Sequence, residues 1–174
     1  LVSMEALARW QKSDGTFVSP EEFIPLFESS GFITRFDMYI WKSVCKTLAA
    51  WQDKGCKLVP ISINVSMIDI TNIDVPQYLS MLTEQYHISP EYLPVEITES
   101  VFAESNTIVK NTITRFHKKG FYVLMDDFGS GYSSLNVLKD ANVDYLKLDM
   151  KFMQIDAKNK GKGIQILKSI VDMA

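Results

Sequence analysis

Phe121-Tyr122-Val123-Leu124-Met125-Asp126-Asp127 is an apolar run that ends on two adjacent carboxylates. Its first five residues do not alternate between apolar and polar, which suits a strand buried on both sides, as in parallel sheets flanked by helices. Working outward, other short apolar runs also carry polar residues at their ends: Glu5, Asn64, Glu96 with Glu99, and Lys147 with Asp149. The intervals from Asn64 to Glu96 and from Glu96 to Asp126 are nearly equal, and each holds a stretch with helical periodicity. Each interval is roughly 30 residues, about what a strand, a crossover helix and the next parallel strand need. The repeating unit is therefore βα, and barrels built from it assemble their sites at the C-terminal ends of the strands.

The remaining elements follow from local signals. Residues 1–7 read as a strand ending near Glu5. Ser19-Pro20-Glu21-Glu22 marks a helix start, with Ser at the cap, Pro at the first helical position and Glu three residues after the cap. Phe36, Ile40, Val44, Leu48 and Trp51 recur at helical spacing over 33–54, where Gly55 stops the helix. This aromatic and aliphatic stripe reads as core rather than a cofactor site. In the strand from Val59 to Val65, alternation puts Asn64 on the less apolar face with Ser62 and Ser66. A helix around 75–86, a strand near 93–98, a helix over 106–118 closed by Gly120, and a strand from Val143 to Met150 complete the pattern. A further helix is expected over 164–174, with Ile164, Leu167, Ile170 and Val171 on one face.

Composition narrows the function. The 174 residues are 47% hydrophobic and 22% charged, enough for one core, and the formal net charge is −3. Bulk nucleic-acid binding relies on clustered Lys and Arg to displace counterions, and no such cluster is present. No run reaches the roughly 18 apolar residues that span a bilayer, and no signal-peptide pattern opens the chain. The expected location is cytoplasmic, with membrane anchoring of a longer protein left open. Cys45 and Cys56 read as reduced thiols, and His87 and His117, each alone in its segment, do not form a helical zinc pair.

Oxygen donors at successive strand ends suit hard divalent cations such as Mg2+, and so metal-assisted chemistry on a phosphate. Each donor also has a simpler reading when taken alone. Asp126-Asp127 could cap a turn or helix, Asn64 could brace a turn, Lys147 and Asp149 could form a surface ion pair, and Arg9 could be solvated beside Trp10.

Six ordered blocks resemble the EAL domains, bacterial phosphodiesterases that act on cyclic di-GMP. They are Glu5-Ala6-Leu7-Ala8-Arg9-Trp10, Ser19-Pro20-Glu21-Glu22-Phe23-Ile24-Pro25-Leu26, Ile63-Asn64-Val65-Ser66, Glu96-Ile97-Thr98-Glu99-Ser100, Asp126-Asp127-Phe128-Gly129-Ser130-Gly131-Tyr132-Ser133-Ser134-Leu135 and Tyr145-Leu146-Lys147-Leu148-Asp149. The resemblance implies an α/β fold of modified TIM-barrel type with one strand running against the rest. It implies hydrolysis of cyclic di-GMP to the linear dinucleotide pGpG with two Mg2+ or Mn2+ ions. It casts Glu5, Asn64, Glu96 and Asp126 as ligands of the first metal, and Asp127, sharing Asp126, as a ligand of the second. Lys147 would hold the attacking water, Arg9 the substrate phosphate and Leu7 the guanine side. Asp149 joins the substrate-binding set. Glu99 would steady the glycine-containing loop that follows Asp127.

About five strands are visible where such a barrel has eight. Residues 1–174 are therefore expected to be a partial EAL domain, without a first strand and the C-terminal strands that carry a further catalytic Glu in the family. The isolated chain would then be inactive or poorly folded, and the parent domain active. The resemblance also implies a homodimer and leaves room for an accompanying GGDEF or sensor domain. A cyclic di-GMP receptor without hydrolysis and a protein-binding scaffold remain the alternatives. Carboxylates clustered this closely repel one another without a cation, which weighs against both.

Overall fold

The computed structural model describes residues 2–103, 107–129, 141–149 and 168. The expected helix over 164–174 and the motif residues 130–135 lie outside that set, apart from Lys168, which is helical. The described elements are β1 (Met4–Glu5), β2 (Trp10–Gln11), β3 (Phe17–Val18), α1 (Pro20–Ser29), α2 (Ile33–Asp53), β4 (Ile61–Asn64), α3 (Met67–Asn72), α4 (Val75–Gln85), a 3-10 turn (Pro90–Tyr92), β5 (Val95–Thr98), α5 (Glu99–Ala103), α6 (Thr107–Lys118), β6 (Val123–Phe128) and β7 (Tyr145–Leu148).

Five strands form one sheet in the order β1-β4-β5-β6-β7, and all four pairings are parallel. The strand expected to run against the others is not one of these five. The register decides which side chains share a face. Glu5 sits opposite Ser62, Asn64 opposite Glu96, Glu96 opposite Leu124, and Leu124 opposite Tyr145. With a period of two, Glu5, Ser62, Asn64, Glu96, Asp126 and Lys147 therefore lie on one face. Ile61, Ile63, Val95, Ile97, Val123 and Met125 lie on the other and are buried in the core. There they join Trp41, Val44 and Leu48 of α2 and Ile113 and Phe116 of α6.

The sheet is curled. In a flat sheet β1 and β7 would be four strand spacings apart, about 19 Å, while extended Lys and Glu side chains together reach about 10 Å. Yet the Lys147 ammonium on β7 lies 3.0 Å from the Glu5 carboxylate on β1. Closing that gap requires the arc of a barrel wall, with the polar face inside. The fold is thus an α/β arrangement of TIM-barrel type.

The reading of 121–125 needs correcting: the run is not buried on both sides. Val123 and Met125 enter the core, whereas Tyr122 and Leu124 line an interior cavity of about 540 Å3. The strand also continues through both aspartates to Phe128, with a bulge between Met125 and Phe128. On α2, Val44 and Leu48 of the expected stripe are buried together with Trp41 and Cys45, Ile40 and Trp51 pack half-buried against the core, and Phe36 packs against Phe23 and Phe27, with Phe36 and Ile40 also lining a second cavity. Ser62 does lie on the polar face with Asn64, as its alternation placed it, and is buried there.

Two local structures went unread in the sequence. The β2–β3 hairpin turns at Asp14-Gly15, where Thr16 donates through both its N–H and hydroxyl to Asp14 Oδ1 and Gly15 adopts φ +87°. Helix α3 starts with a capping box: Ser66 Oγ accepts from Asp69 N, and Asp69 Oδ2 accepts from Ser66 N. The signals were Asp-Gly between Trp10-Gln11 and Phe17-Val18, and Ser-x-x-Asp after the strand.

The start of α1 is as expected, with Ser19 Oγ accepting from Glu21 N and Pro20 in the first turn. Both cysteines are free thiols, and burial pushes the Cys45 pKa up to about 12. Among the described residues no helix is long and apolar enough to cross a membrane.

Candidate active site

The polar face converges at the C-terminal ends of its strands. One carboxylate oxygen from each of Glu5, Glu96 and Asp126 lies within 4.8 Å of the others. Lys147 Nζ reaches all three, at 3.0, 2.7 and 3.1 Å respectively. These four residues come from β1, β5, β6 and β7, so no local segment could have assembled them.

Glu96 is the buried member, 2% exposed, and burial raises its pKa. Hydrogen bonds from Lys147 and Ser62 offset part of that rise. The Ser62 hydroxyl has one proton and two acceptors in range, Met4 O at 3.2 Å and the Glu96 carboxylate. Burial alone would lower the pKa of Lys147, but its hydrogen bonds with Glu96 and Glu5, the Glu96 charge and the Asp126 hydrogen bond raise it. The ammonium therefore keeps its proton and balances carboxylates that would otherwise repel one another.

Asp127 sits at the bulge with φ +57°, a left-handed conformation uncommon for a side chain other than Gly, Asn or Asp. A regular strand would send Asp127 to the face opposite Asp126, and the bulge re-aims it. Its pKa is raised by burial, then by the charges of Asp126 and Asp149, with Lys147 acting the other way. Asp126 and Lys147 belong to the cluster, which places Asp127 at its edge. Asp149 N donates to Phe128 O and closes the ladder beside it.

Glu99 is buried at the start of α5, and its Oε2 accepts from Gly129 N at 3.0 Å. That bond ties the turn after Asp127 to the end of β5. Asn64 lies on the same face in register with Glu96, one strand away, and its backbone oxygen accepts from Trp41 Nε1 at 3.0 Å. Its side chain is not one of the three converging acids.

Leu7 and Arg9 follow β1 and are exposed. Together with Asn64, Ser66, Phe36 and Asp37 they line a cavity of about 470 Å3, whereas Glu5, Glu96 and Lys147 line the one of about 540 Å3. Arg9 Nη1 donates to Ala8 O, so the guanidinium is turned to its own backbone while remaining at the cavity. Asp149 does not line this cavity, and its place is with Asp127.

The three converging acids supply hard oxygen donors, one of them buried, on side chains anchored in strands. This set fits a divalent cation of the Mg2+, Mn2+ and Ca2+ class and does not resemble the His and Cys sets that select zinc or copper. The sequence missed Ser62 and Asp37 as site residues. Ser62 carried a signal in its alternation with Asn64, whereas Asp37 lay hidden among the polar positions of an amphipathic helix.

Comparison with known proteins gives concordant results. The EAL domain family profile matches residues 1–174. A protein of Escherichia coli (strain K12) named probable cyclic di-GMP phosphodiesterase PdeB is 35% identical over 175 residues, covering 100% of this chain and 32% of its own length. Cyclic di-GMP phosphodiesterase PdeR of the same strain is 32% identical over 174 residues, covering 99% of this chain and 26% of its own length. The chain thus spans about a third or less of these curated relatives. Among solved structures, the PaMucR phosphodiesterase in complex with c-di-GMP superposes with a TM-score of 0.87 at 26% identity, covering 99% of this chain and 70% of that one.

Proposed function

The chain belongs to the EAL domain family, and from that premise we propose that its parent protein hydrolyses one phosphodiester bond of cyclic di-GMP, using two Mg2+ or Mn2+ ions and releasing linear pGpG. The observation that carries this reading is the convergence of Glu5, Glu96 and Asp126 around Lys147 from strands at opposite edges of a curled sheet. Water adds to phosphorus and one P–O ester bond breaks, leaving a hydroxyl on one sugar and a terminal phosphate on the other.

Glu5, Asn64, Glu96 and Asp126 would hold one cation, and Asp127, sharing Asp126, would hold the other. When bound, the cations polarise the phosphate and lower the pKa of bound water. Lys147, protonated and held by three carboxylates, is suited to orient that water by hydrogen bonding. It offers donors only, so it does not compete for the metals. Arg9 presents a planar fork that matches phosphate oxygens. Leu7 gives the cavity an apolar wall for a guanine face, and Asp149 contributes from the Asp127 side. Glu99 acts through Gly129, fixing the turn on which Asp127 depends. The same reading includes a homodimer joined near the Asp127 turn and a GGDEF or sensor domain elsewhere in the protein.

The test is chromatography of products after the full-length protein is incubated with cyclic di-GMP and Mn2+. Linear pGpG from the wild type and none from Asp126→Ala is the expected result. Tight nucleotide binding without product would replace the enzyme by a receptor.

A further inference from the structure

A second pair of carboxyl groups lies away from the metal-binding cluster, in and behind the wall of the cavity that Leu7 and Arg9 line. Asp69 of α3 is 0% exposed, and its Oδ2 already accepts from Ser66 N at 2.9 Å and Ser66 Oγ at 2.7 Å. Its Oδ1 is buried and meets no N–H or other such donor. A buried acceptor of that kind is normally satisfied. The group that comes within reach of the Asp69 side chain is the carboxyl of Asp37, from α2. Two ionised carboxylates at that range repel one another, and a proton on one of them would turn the repulsion into a hydrogen bond.

The surroundings agree. Burial, then the charge and hydrogen bond of Asp69, and then the charge of Glu28 push the Asp37 pKa up to about 8. Glu28 comes from α1 and adds repulsion rather than relief. Arg9 is the cation among the residues lining the cavity, and its guanidinium donates to Ala8 O. Arg35, on the same helix as Asp37, lies over the Phe32 ring. Asn64, Ser66, Thr98 and Ser100, from the ends of β4 and β5, are uncharged. A proton therefore does for this pair what Lys147 does for the other cluster. Asp69 lies on the helix that follows Asn64 in the chain, and neither member of the pair is one of the converging acids.

We propose that Asp37 and Asp69 share one proton on the wall of the nucleotide cavity and that losing it weakens binding of the anionic nucleotide, making ligand affinity proton-linked. This rests on the cyclic di-GMP reading above. Deprotonation adds a second negative charge beside a ligand that already carries two. At the short range of a cavity wall one added charge is expected to weaken affinity roughly threefold to tenfold.

Asp69→Asn separates this from ordinary surface titration. Its amide oxygen can keep the Ser66 hydrogen bonds while its NH2 donates to Asp37, so the pair stays at one negative charge. The variant should fold, because the capping box survives. The full-length protein would be followed in two ways. Carboxyl carbon NMR without nucleotide reports whether Asp37 titrates above about pH 6. Calorimetric titration with cyclic di-GMP in Ca2+, which slows turnover, reports affinity from about pH 6 to 9.5.

Late titration of Asp37, a roughly threefold to tenfold loss of wild-type affinity over that range, and a flat profile in Asp69→Asn would bear the proposal out. Equal pH profiles in the two proteins, or ordinary titration of Asp37, would overturn it. Absence of nucleotide binding by either protein at every pH would overturn the substrate reading and the linkage with it, while the NMR titration would still decide whether the pair holds a proton.

Discussion

The two carboxylate groupings sit on neighbouring parts of one site and are neutralised differently. At the strand ends, Glu5, Glu96 and Asp126 surround a lysine ammonium. Behind the cavity wall, Asp37 and Asp69 come within reach of each other, and among the described residues the charges that shift Asp37 are acidic. In low dielectric an acidic group must be compensated by a cation or keep its proton. The strand-end cluster opens toward solvent through Glu5 and is balanced by an ammonium, so on the proposed reading one cation partner could be exchanged for another. The pair between helices is sealed at Asp69, where a proton is the compensator available. The contrast separates a group proposed to bind metal from one proposed to stay nearly neutral.

Breaking the first grouping should have the largest effect. Asp126→Ala removes the acid that both metals are proposed to share, and turnover should fall by at least about 10³-fold, equivalent to about 4 kcal/mol of transition-state stabilisation. Retention of near wild-type pGpG formation in a product assay would sink the two-metal reading. Lys147→Met tests the compensation itself. Without the ammonium, three acids repel in the metal-free protein, and stability should fall by about 1–3 kcal/mol, moderated because Lys147 and Glu5 are each about a third exposed. Mn2+ should then raise the melting temperature of Lys147→Met more than that of the wild type, because binding to the folded state alone stabilises by mass action. Equal Mn2+ shifts in a thermal denaturation experiment would show that Lys147 and metal do not serve the same charges. Arg9→Ala should be milder, weakening substrate affinity by about tenfold to a hundredfold through loss of a charged hydrogen bond. A change confined to kcat would assign Arg9 a different role.

The strand-end cluster was legible in the sequence because each member sits at the end of an apolar run, and evenly spaced parallel strands bring those ends together. Glu5, Glu96, Asp126 and Lys147 could therefore be grouped before any coordinates. The behaviour of Asp127 was less readable, since strand alternation sends it away from Asp126, and only the bulge and the φ of +57° turn it back. Leu7 and Arg9 were legible as a pair but not as the wall of a cavity. The Asp37–Asp69 contact joins two helices that a whole strand separates in the chain, and each Asp by itself looks like an ordinary polar helix position. Hairpin β2–β3 was missed for a different reason: two-residue strands carry too little alternation to register.

The smallest effect, and the sharpest on the second grouping, is the pH dependence of stability at Asp37. Its pKa is about 8 in the folded protein against an ordinary carboxyl value of 3.8 when unfolded. Between those values the folded state holds a proton that the unfolded state has lost, so wild-type stability falls as pH rises through that window and levels off above it. Asp37→Asn has no proton to lose and donates its own N–H to Asp69. The two proteins should match at about pH 2.5, where the carboxyl is almost fully protonated whether folded or not. Near pH 8 the variant should be more stable by about 1–2 kcal/mol, a figure kept well below the full pKa difference because Asp37 borders an open cavity. Urea unfolding at the two pH values measures this directly. A constant difference would mean that Asp37 is ionised in the folded protein, and the contrast between a lysine-balanced and a proton-balanced group would fail. A gap that widens with pH would instead identify Asp37 as a position where the fold trades stability for a protonatable group at the edge of its site.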